Sequence, residues 1–431
     1  MRLTNLRYPG DEGLHDLWIQ DGKIAAIQPS QTAKPVTEMS PSLKPANSNY
    51  GEFAAIRSSA TNTHITAALP YGEPSLDLHG ALAFPGLINS HDHLDFNLFP
   101  LLGNRIYKNY TEWGPDIHTN NSAAIAAVLK VPQELRTRWG IYKNLLNGFT
   151  TVVNHGDKLP TDNRLITIFQ DCYCLHSVGF ERRWKWKLNR PCPTPPGRTA
   201  IPFALHVGEG TDPAAGREID QIIRWNLFHR PLIGIHGVAM NEQQAGAFRA
   251  LVWCPASNYF LLDQTAPIDL LLARVPILFG TDSTLTAGWN HWAQIRMGRK
   301  LRLTTDHQLL EMLTTAPAAA WGLNDRGTLA AGQRADLVIA RPRPGLTGMD
   351  AFYELNPEDL LLVLHEGNIR LFDPSLLESL TAAGLITDDF QTMGPDGKYV
   401  AGDLPGLMQE IRRYYPDLPF PAMRSRSPFS G

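Results

Sequence analysis

The chain has 431 residues with 17 Phe, 12 Tyr and 10 Trp, enough apolar material for one large catalytic core beside a smaller companion, which excludes a miniprotein or a lone binding module. Thirty-nine Lys and Arg against 42 Asp and Glu leave a formal charge of −3, so charge makes no case for nucleic acid or membrane as a partner. Met1 to Gly10 hold no apolar stretch of signal-peptide length and no later run is long enough to span a bilayer, so the expected localisation is cytoplasmic. Cys172, Cys174, Cys192 and Cys254 are too few to staple a chain this long. Buried thiols are the leading reading, with a redox pair at Cys172 and Cys174 as the alternative.

In chain order, residues 17–27 place two apolar runs on either side of Asp21-Gly22, a dipeptide suited to the positive backbone angles of a tight hairpin. From about 29 to 73 the composition turns to Ser, Thr, Asn, Pro and Ala without periodicity, which predicts a flexible insertion. Alternation resumes at Ser75 and leads through Phe84-Pro85-Gly86-Leu87-Ile88-Asn89-Ser90 into His91-Asp92-His93. Short apolar runs then alternate with helix-length segments: Thr150–Asn154, Cys172–Leu175, Phe203–His206, Leu232–His236, Leu251–Cys254 and Pro276–Gly280. Strands covered on both faces and separated by helices predict a parallel sheet closed into a barrel over residues 81–320. Strand-like sequence returns at Gly327–Ile339 and Leu361–His365, so residues 1–80 and 321–370 are expected to build one small β domain together, followed by a C-terminal extension at 371–431. The Pro-rich stretch 191–197 reads as a stiff connector.

His91 and His93 stand at i and i+2, which on a strand point to one face. That pair alone is weak. The gaps from His93 to His206, His206 to His236 and His236 to Asp282 are 113, 30 and 46 residues, against about 31 residues per unit of an eight-unit barrel. They assign these residues to strands 1, 5, 6 and 8, each at the carboxyl end where barrel active sites are built. Three neutral imidazoles and one carboxylate suit a borderline divalent cation with a position left for water, whose pKa such an ion lowers. The candidate ligands are His91, His93, His206 and Asp282, with Asp282 also placed to take a proton from the attacking water; a helix N-cap is its alternative role. Glu209 follows His206 by three residues between Gly208 and Gly210, which let the chain curl and turn the carboxylate back as general acid; a solvated loop glutamate is the alternative. His236 is placed to hydrogen-bond the water or a developing oxyanion. A second metal is the competing role, but residues 171–178 hold no lysine to bridge two ions, so one ion is favoured.

Together, the segments 84–93, Gly148-Phe149-Thr150-Thr151-Val152-Val153, His206-Val207-Gly208-Glu209, Ile235-His236-Gly237, Cys254-Pro255-Ala256-Ser257-Asn258, Gly280-Thr281-Asp282-Ser283 and 327–338 give a chain that resembles the amidohydrolase superfamily. The resemblance is to the branch of cytosine, guanine and S-adenosylhomocysteine deaminases and triazine chlorohydrolases, over residues 1–28 and 75–370. It implies an α/β fold, a distorted (β/α)8 TIM barrel with a small β-sandwich built from both chain ends, holding one zinc or iron ion. It implies His91, His93, His206 and Asp282 as metal ligands, Glu209 as proton shuttle and His236 as the group that polarises nucleophile or substrate. The expected reaction is hydrolytic removal of an amino group from a small planar nitrogen heterocycle. Hydrolysis of a non-ring amide, amidine or carbon–halogen bond is the near alternative, and a non-catalytic barrel scaffold the distant one. The sandwich beside the barrel offers a surface for a homodimer. The segment after strand 4, Phe180–Leu188, interleaves basic and aromatic residues; Arg182 or Arg183 would bind an anionic group and Trp184 stack on the ring, against an amphipathic surface helix as the equal alternative.

Overall fold

The computed structural model describes residues 1–30, 73–161, 163–190, 201–393 and 397–421. Nearly all of the insertion expected at 29–73, the Pro-rich stretch with Cys192, and the last ten residues lie outside them.

The chain opens with β1 (Arg2–Tyr8), β2 (Asp11–Gln20) and β3 (Lys23–Pro29), an antiparallel set whose β2–β3 turn has Asp21 at φ 50° and Gly22 at φ 73°. The expected hairpin is formed. Residue 22 must also lie close to a neighbouring backbone, because a Cβ there would stand 2.9 Å from the carbonyl oxygen of Glu366. β4 (Ser75–Asp77) pairs with β1, and β5 (Leu82–Pro85) joins β1 through the single pair Arg7 and Leu82.

The barrel strands follow as β6 (Leu87–Asp92), β7 (Phe149–Asn154), β8 (Thr167–Phe169), β9 (Tyr173–Leu175), β10 (Phe203–Val207), β11 (Leu232–His236), β12 (Ala250–Trp253) and β13 (Ile277–Phe279). They pair in parallel as one arc of three, β6-β7-β8, and one of five, β13-β12-β11-β10-β9. The arcs meet where the backbone N–H groups of Thr281 and Asp282 both donate to the carbonyl of His91, at 3.1 and 3.0 Å. These eight parallel strands form the expected distorted barrel; among the described residues β8 and β9 are not hydrogen-bonded to one another and no helix separates β7, β8 and β9. Strand alternation sorts its side chains into two cores. Val153, Ala204, Ile233, Ile235, Val252 and Leu278 fill the interior, while Phe149, Phe203, Leu205, Leu251, Trp253 and Phe279 face the surrounding helices.

β14 (Leu337–Ala340), β15 (Leu360–His365) and β16 (Asn368–Phe372) then pair antiparallel onto β5, which therefore belongs to the terminal sheet. Leu3, Leu17 and Ile24 from the N-terminal strands and Leu337, Leu362 and Phe372 from the C-terminal ones share one core, so the two chain ends make a single sandwich. The C-terminal extension is not an appendage. Its β17 (Phe390–Thr392) and β18 (Tyr399–Ala401) lengthen that sheet beyond β16, and its helix Leu404–Tyr414 packs on the barrel helix Gln133–Leu146. Among the described residues no helix is long and apolar enough to cross a membrane.

Candidate active site

The alternation that packs the barrel also delivers the histidines. His206 shares the inward parity of Ala204, and His91 and His93 leave the end of β6 on one face. His236 has the parity of Gly234, between the inward Ile233 and Ile235, and would face away. A positive φ of 74° at His236 breaks the alternation and turns its ring into the mouth; Asp282, at φ 54°, is turned by the same device. Two non-glycine residues in this costly region within one site mark a backbone shaped for the placement of their side chains.

His206 Nδ1 lies 2.8 Å from the carbonyl of His176. A carbonyl only accepts, so Nδ1 carries the proton and Nε2 keeps its lone pair. That Nε2 lies 3.3 Å from Nε2 of His91, which is 3.6 Å from Oδ1 of Asp282. His93 Nε2 stands 3.9 Å from the same oxygen. His236 points Nδ1 at Oδ1 of Asn258, 2.8 Å away, and Nε2 at Oε1 of Glu209, 3.6 Å away. Two donor sets result, His91 with His93 and Asp282, and His91 with His206 and His236, each gathered within 4.8 Å. Donors bound about 2.1 Å from a tetrahedral centre stand roughly 3.4 Å apart, close to the spacing of His91, His206 and Asp282. The residues therefore fit a divalent cation.

Burial lowers His91 and His206 well below the ordinary imidazole range and His93 to a lesser extent, leaving neutral rings, the form that binds metal. Burial alone would raise Asp282, but His91, His93 and His236 outweigh it and hold the carboxylate well below its usual range. Its orientation is fixed by Ser257 Oγ and Thr286 Oγ1, each donating to Oδ2 at 2.8 Å, and by the N–H of Ser283 donating to Oδ1 at 2.7 Å. No helix begins at Asp282, so the N-cap role does not apply. Glu209 is 7% exposed, which rules out the solvated-loop alternative. Gly208 makes the curl at φ 61°, packed so closely that a Cβ would meet Ile219 Cδ1 at 2.7 Å. Burial pushes the Glu209 carboxyl up to about 7.

The segment after β9 is arranged otherwise than substrate binding requires. Trp184 opens the helix Trp184–Asn189 and is buried in the outer core, so its faces are covered by protein instead of offered to a ring. Arg182 and Arg183 are exposed at the start of that helix. The amphipathic helix describes this segment: Trp184 and Leu188 are buried, and Lys185 lies over the Trp225 ring at 4.1 Å. Cys172 and Cys174 face one another across 3.7 Å, half-buried, and Cys254 is buried.

His155 was not singled out by its sequence. It is 4% exposed, with ring centroids 4.5 Å from His206, 5.3 Å from His91 and 5.4 Å from His93. The signal was available, because Val152-Val153-Asn154-His155-Gly156 repeats the form of Leu232-Ile233-Gly234-Ile235-His236-Gly237, an apolar run ending in His-Gly.

A family model described as amidohydrolase family matches residues 199–369. A 5-methylthioadenosine/S-adenosylhomocysteine deaminase of Desulforudis audaxviator is 25% identical over 350 residues, 64% of this chain and 77% of that protein. Among solved structures, an adenosine deaminase from Xanthomonas campestris with bound zinc is similar at a TM-score of 0.62 and 17% identity, covering 97% of this chain and 98% of that one. A mutant atrazine chlorohydrolase from Arthrobacter aurescens, complexed with zinc and atraton, has a TM-score of 0.55 and 16% identity, covering 89% and 99%.

Proposed function

We propose that the chain, which is similar over residues 199–369 to the amidohydrolase family and at 25% identity to a 5-methylthioadenosine/S-adenosylhomocysteine deaminase, belongs with the heterocycle deaminases and triazine chlorohydrolases of the amidohydrolase superfamily and is a metal-dependent aminohydrolase that removes an amino group from a small planar nitrogen heterocycle. The observation that carries this reading is the meeting of lone-pair donors from His91, His206 and Asp282 at 3.3 to 3.6 Å beside a buried carboxyl, Glu209, and a turned-in imidazole, His236. His91, His93, His206 and Asp282 hold one divalent ion, with zinc assigned first and iron second, as a donor set of three imidazoles and one carboxylate suits. When bound, the ion lowers the pKa of a water and so supplies a nucleophile near neutral pH.

The chain's own groups do the remaining work. In the reaction a water oxygen bonds to the ring carbon that bears the amino group, the carbon–nitrogen bond breaks, and ammonia and an oxo ring leave. Glu209, raised by burial to about 7, gives its proton to a ring nitrogen; of the two protons the water sheds as its oxygen becomes the oxo group, one passes through Asp282 to the departing nitrogen and the other restores the Glu209 acid. His236, whose Nδ1–H donates to Oδ1 of Asn258, aims the lone pair of its Nε2 into the site and accepts a hydrogen bond from the water, which orients it for attack. Asp282 is anchored by Ser257, Thr286 and Ser283 so that Oδ1 stays aimed at the histidines.

Ammonia release from a panel of purines, pyrimidines and pterins by zinc-loaded protein tests the reading. Turnover of at least one ring with stoichiometric ammonia is expected; halide release from chlorotriazines, or activity on acyclic amides alone, would replace it with the alternative hydrolysis.

A further inference from the structure

One buried imidazole of the barrel mouth has no task in the reaction just described. His155 follows β7 by one residue, and its alternation with the inward Val153 carries the side chain into the barrel. The ring is 4% exposed, and among the described residues neither Nδ1 nor Nε2 makes a hydrogen bond of good geometry, the Cys174 thiol, a weak partner, being the one polar side chain that interacts with it beside the other imidazoles. An imidazole always presents at least one N–H and, when neutral, one lone pair. Burying both without good partners is unfavourable, and a fold sustains it where a partner arrives from outside. The ring's under-satisfied nitrogens are no accident of packing around an apolar wall, since its neighbours are the Cys174 thiol and the rings of His206, His91 and His93 at 4.5, 5.3 and 5.4 Å.

The arriving partner is an ion or a substrate. His155 belongs to neither of the donor sets gathered among the described residues, His91 with His93 and Asp282, and His91 with His206 and His236. It stands on the strand 2 side of the ring cluster, whereas Glu209 and His236 approach from strands 5 and 6. A flat ring whose reacting carbon faces Glu209 and His236 leaves its remaining edge for the other side of the mouth.

We propose that His155 is a substrate-contacting residue: one of its ring nitrogens hydrogen-bonds a ring nitrogen or exocyclic group of the planar heterocycle on the edge away from the leaving amine, and so selects which rings the site accepts. This rests on the heterocycle reading of the site and adds to it the residue that reads the ring.

The test uses His155→Gln, which keeps a hydrogen-bonding end, and His155→Leu, which fills the space without one. Binding of hypoxanthine, uracil and guanine to zinc-loaded protein is measured by calorimetry, alongside zinc per chain and the visible spectrum of the cobalt-substituted protein. The expected result is a Kd for the best-bound ring weakened at least tenfold in His155→Leu and less in His155→Gln, with metal content and cobalt spectrum unchanged. Ring affinity within twofold of wild type in both variants overturns the proposal, as does a changed cobalt spectrum, which would make His155 a ligand of the ion. A wild-type protein that binds none of the rings overturns it too. Ammonia release separates this from the wider reading: release with His155-independent binding sinks the present inference alone, whereas His155-dependent binding without release sinks the deaminase and leaves His155 standing.

Discussion

Nζ of Lys143 lies 3.3 Å from the backbone carbonyl of Asp282 and 2.6 Å from Oδ1 of Asn97, on a helix residue 139 positions away from the carboxylate it supports. The lysine is 1% exposed and stands 3.6 Å from Oδ2 of Asp92, the residue between His91 and His93. Asn97 and Asn144 also donate to Asp92, at 2.9 and 2.8 Å, and Asn89 joins Asn144 to Thr281 through its amide. A closed polar web thus ties strands 1 and 8 together behind the ligand atoms. Lys143→Met leaves the Asp92 carboxylate buried without its cation, and a loss of about 3–5 kcal/mol in urea unfolding is expected. Asp92→Asn added to it should recover part of that loss; a single variant as stable as wild type would show that the web holds nothing.

Glu209→Gln keeps the shape of the side chain and removes its proton. The expected outcome is a fall in kcat of about 10²–10⁴-fold with zinc content unchanged. In the wild type the competent form is the protonated acid, raised by burial to about 7, so kcat is expected to decline as pH rises through that value. A rate indifferent to Glu209→Gln would remove the carboxyl from the proton pathway.

Gly208→Ala tests the curl that delivers Glu209. A Cβ at φ 61° is strained and would meet Ile219 Cδ1 at 2.7 Å, so stability should fall by about 2–3 kcal/mol. Activity should fall by more than the folded fraction does, because the carboxylate is displaced with the backbone. Equal losses in the two measurements would mean that the turn is structural only.

Glu218, on the helix Pro213–Trp225 outside the barrel, is 8% exposed and accepts from Tyr110 Oη at 3.1 Å, with the backbone of Val178 as a further partner of the carboxyl. Burial raises its carboxyl from 4.5 to about 7. A folded-state value above the unfolded one contributes stability that is complete below about pH 4.5 and is lost as pH rises through about 7. Above that the buried charge costs the fold on the order of 3 kcal/mol. Glu218→Gln should therefore be more stable than wild type at pH 8 and close to it at pH 4.5, by urea unfolding. Parallel pH profiles for the two proteins would contradict this.

Much of this was legible in the sequence because strand parity and histidine spacing are local quantities. His206 sits where a period-two pattern puts it, and Gly208 and Gly210 announced the curl around Glu209. What escaped did so for physical reasons. β8 is three half-buried residues, too short to show a period. The inward turn of His236 depends on a positive φ that no non-glycine residue advertises. Trp184 read equally as a stacking surface and as a core residue, and only the packing of its helix separates the two. The web around Lys143 joins residues on a helix and two strand ends that no sequence pattern links.

The most direct measurement is zinc per chain combined with anomalous diffraction at the zinc edge of crystals of the zinc-loaded protein. The account predicts one ion per chain, with a single peak bounded by Nε2 of His91, His93 and His206 and Oδ1 of Asp282. A peak elsewhere, or replete protein with no ion among those four side chains, would contradict it.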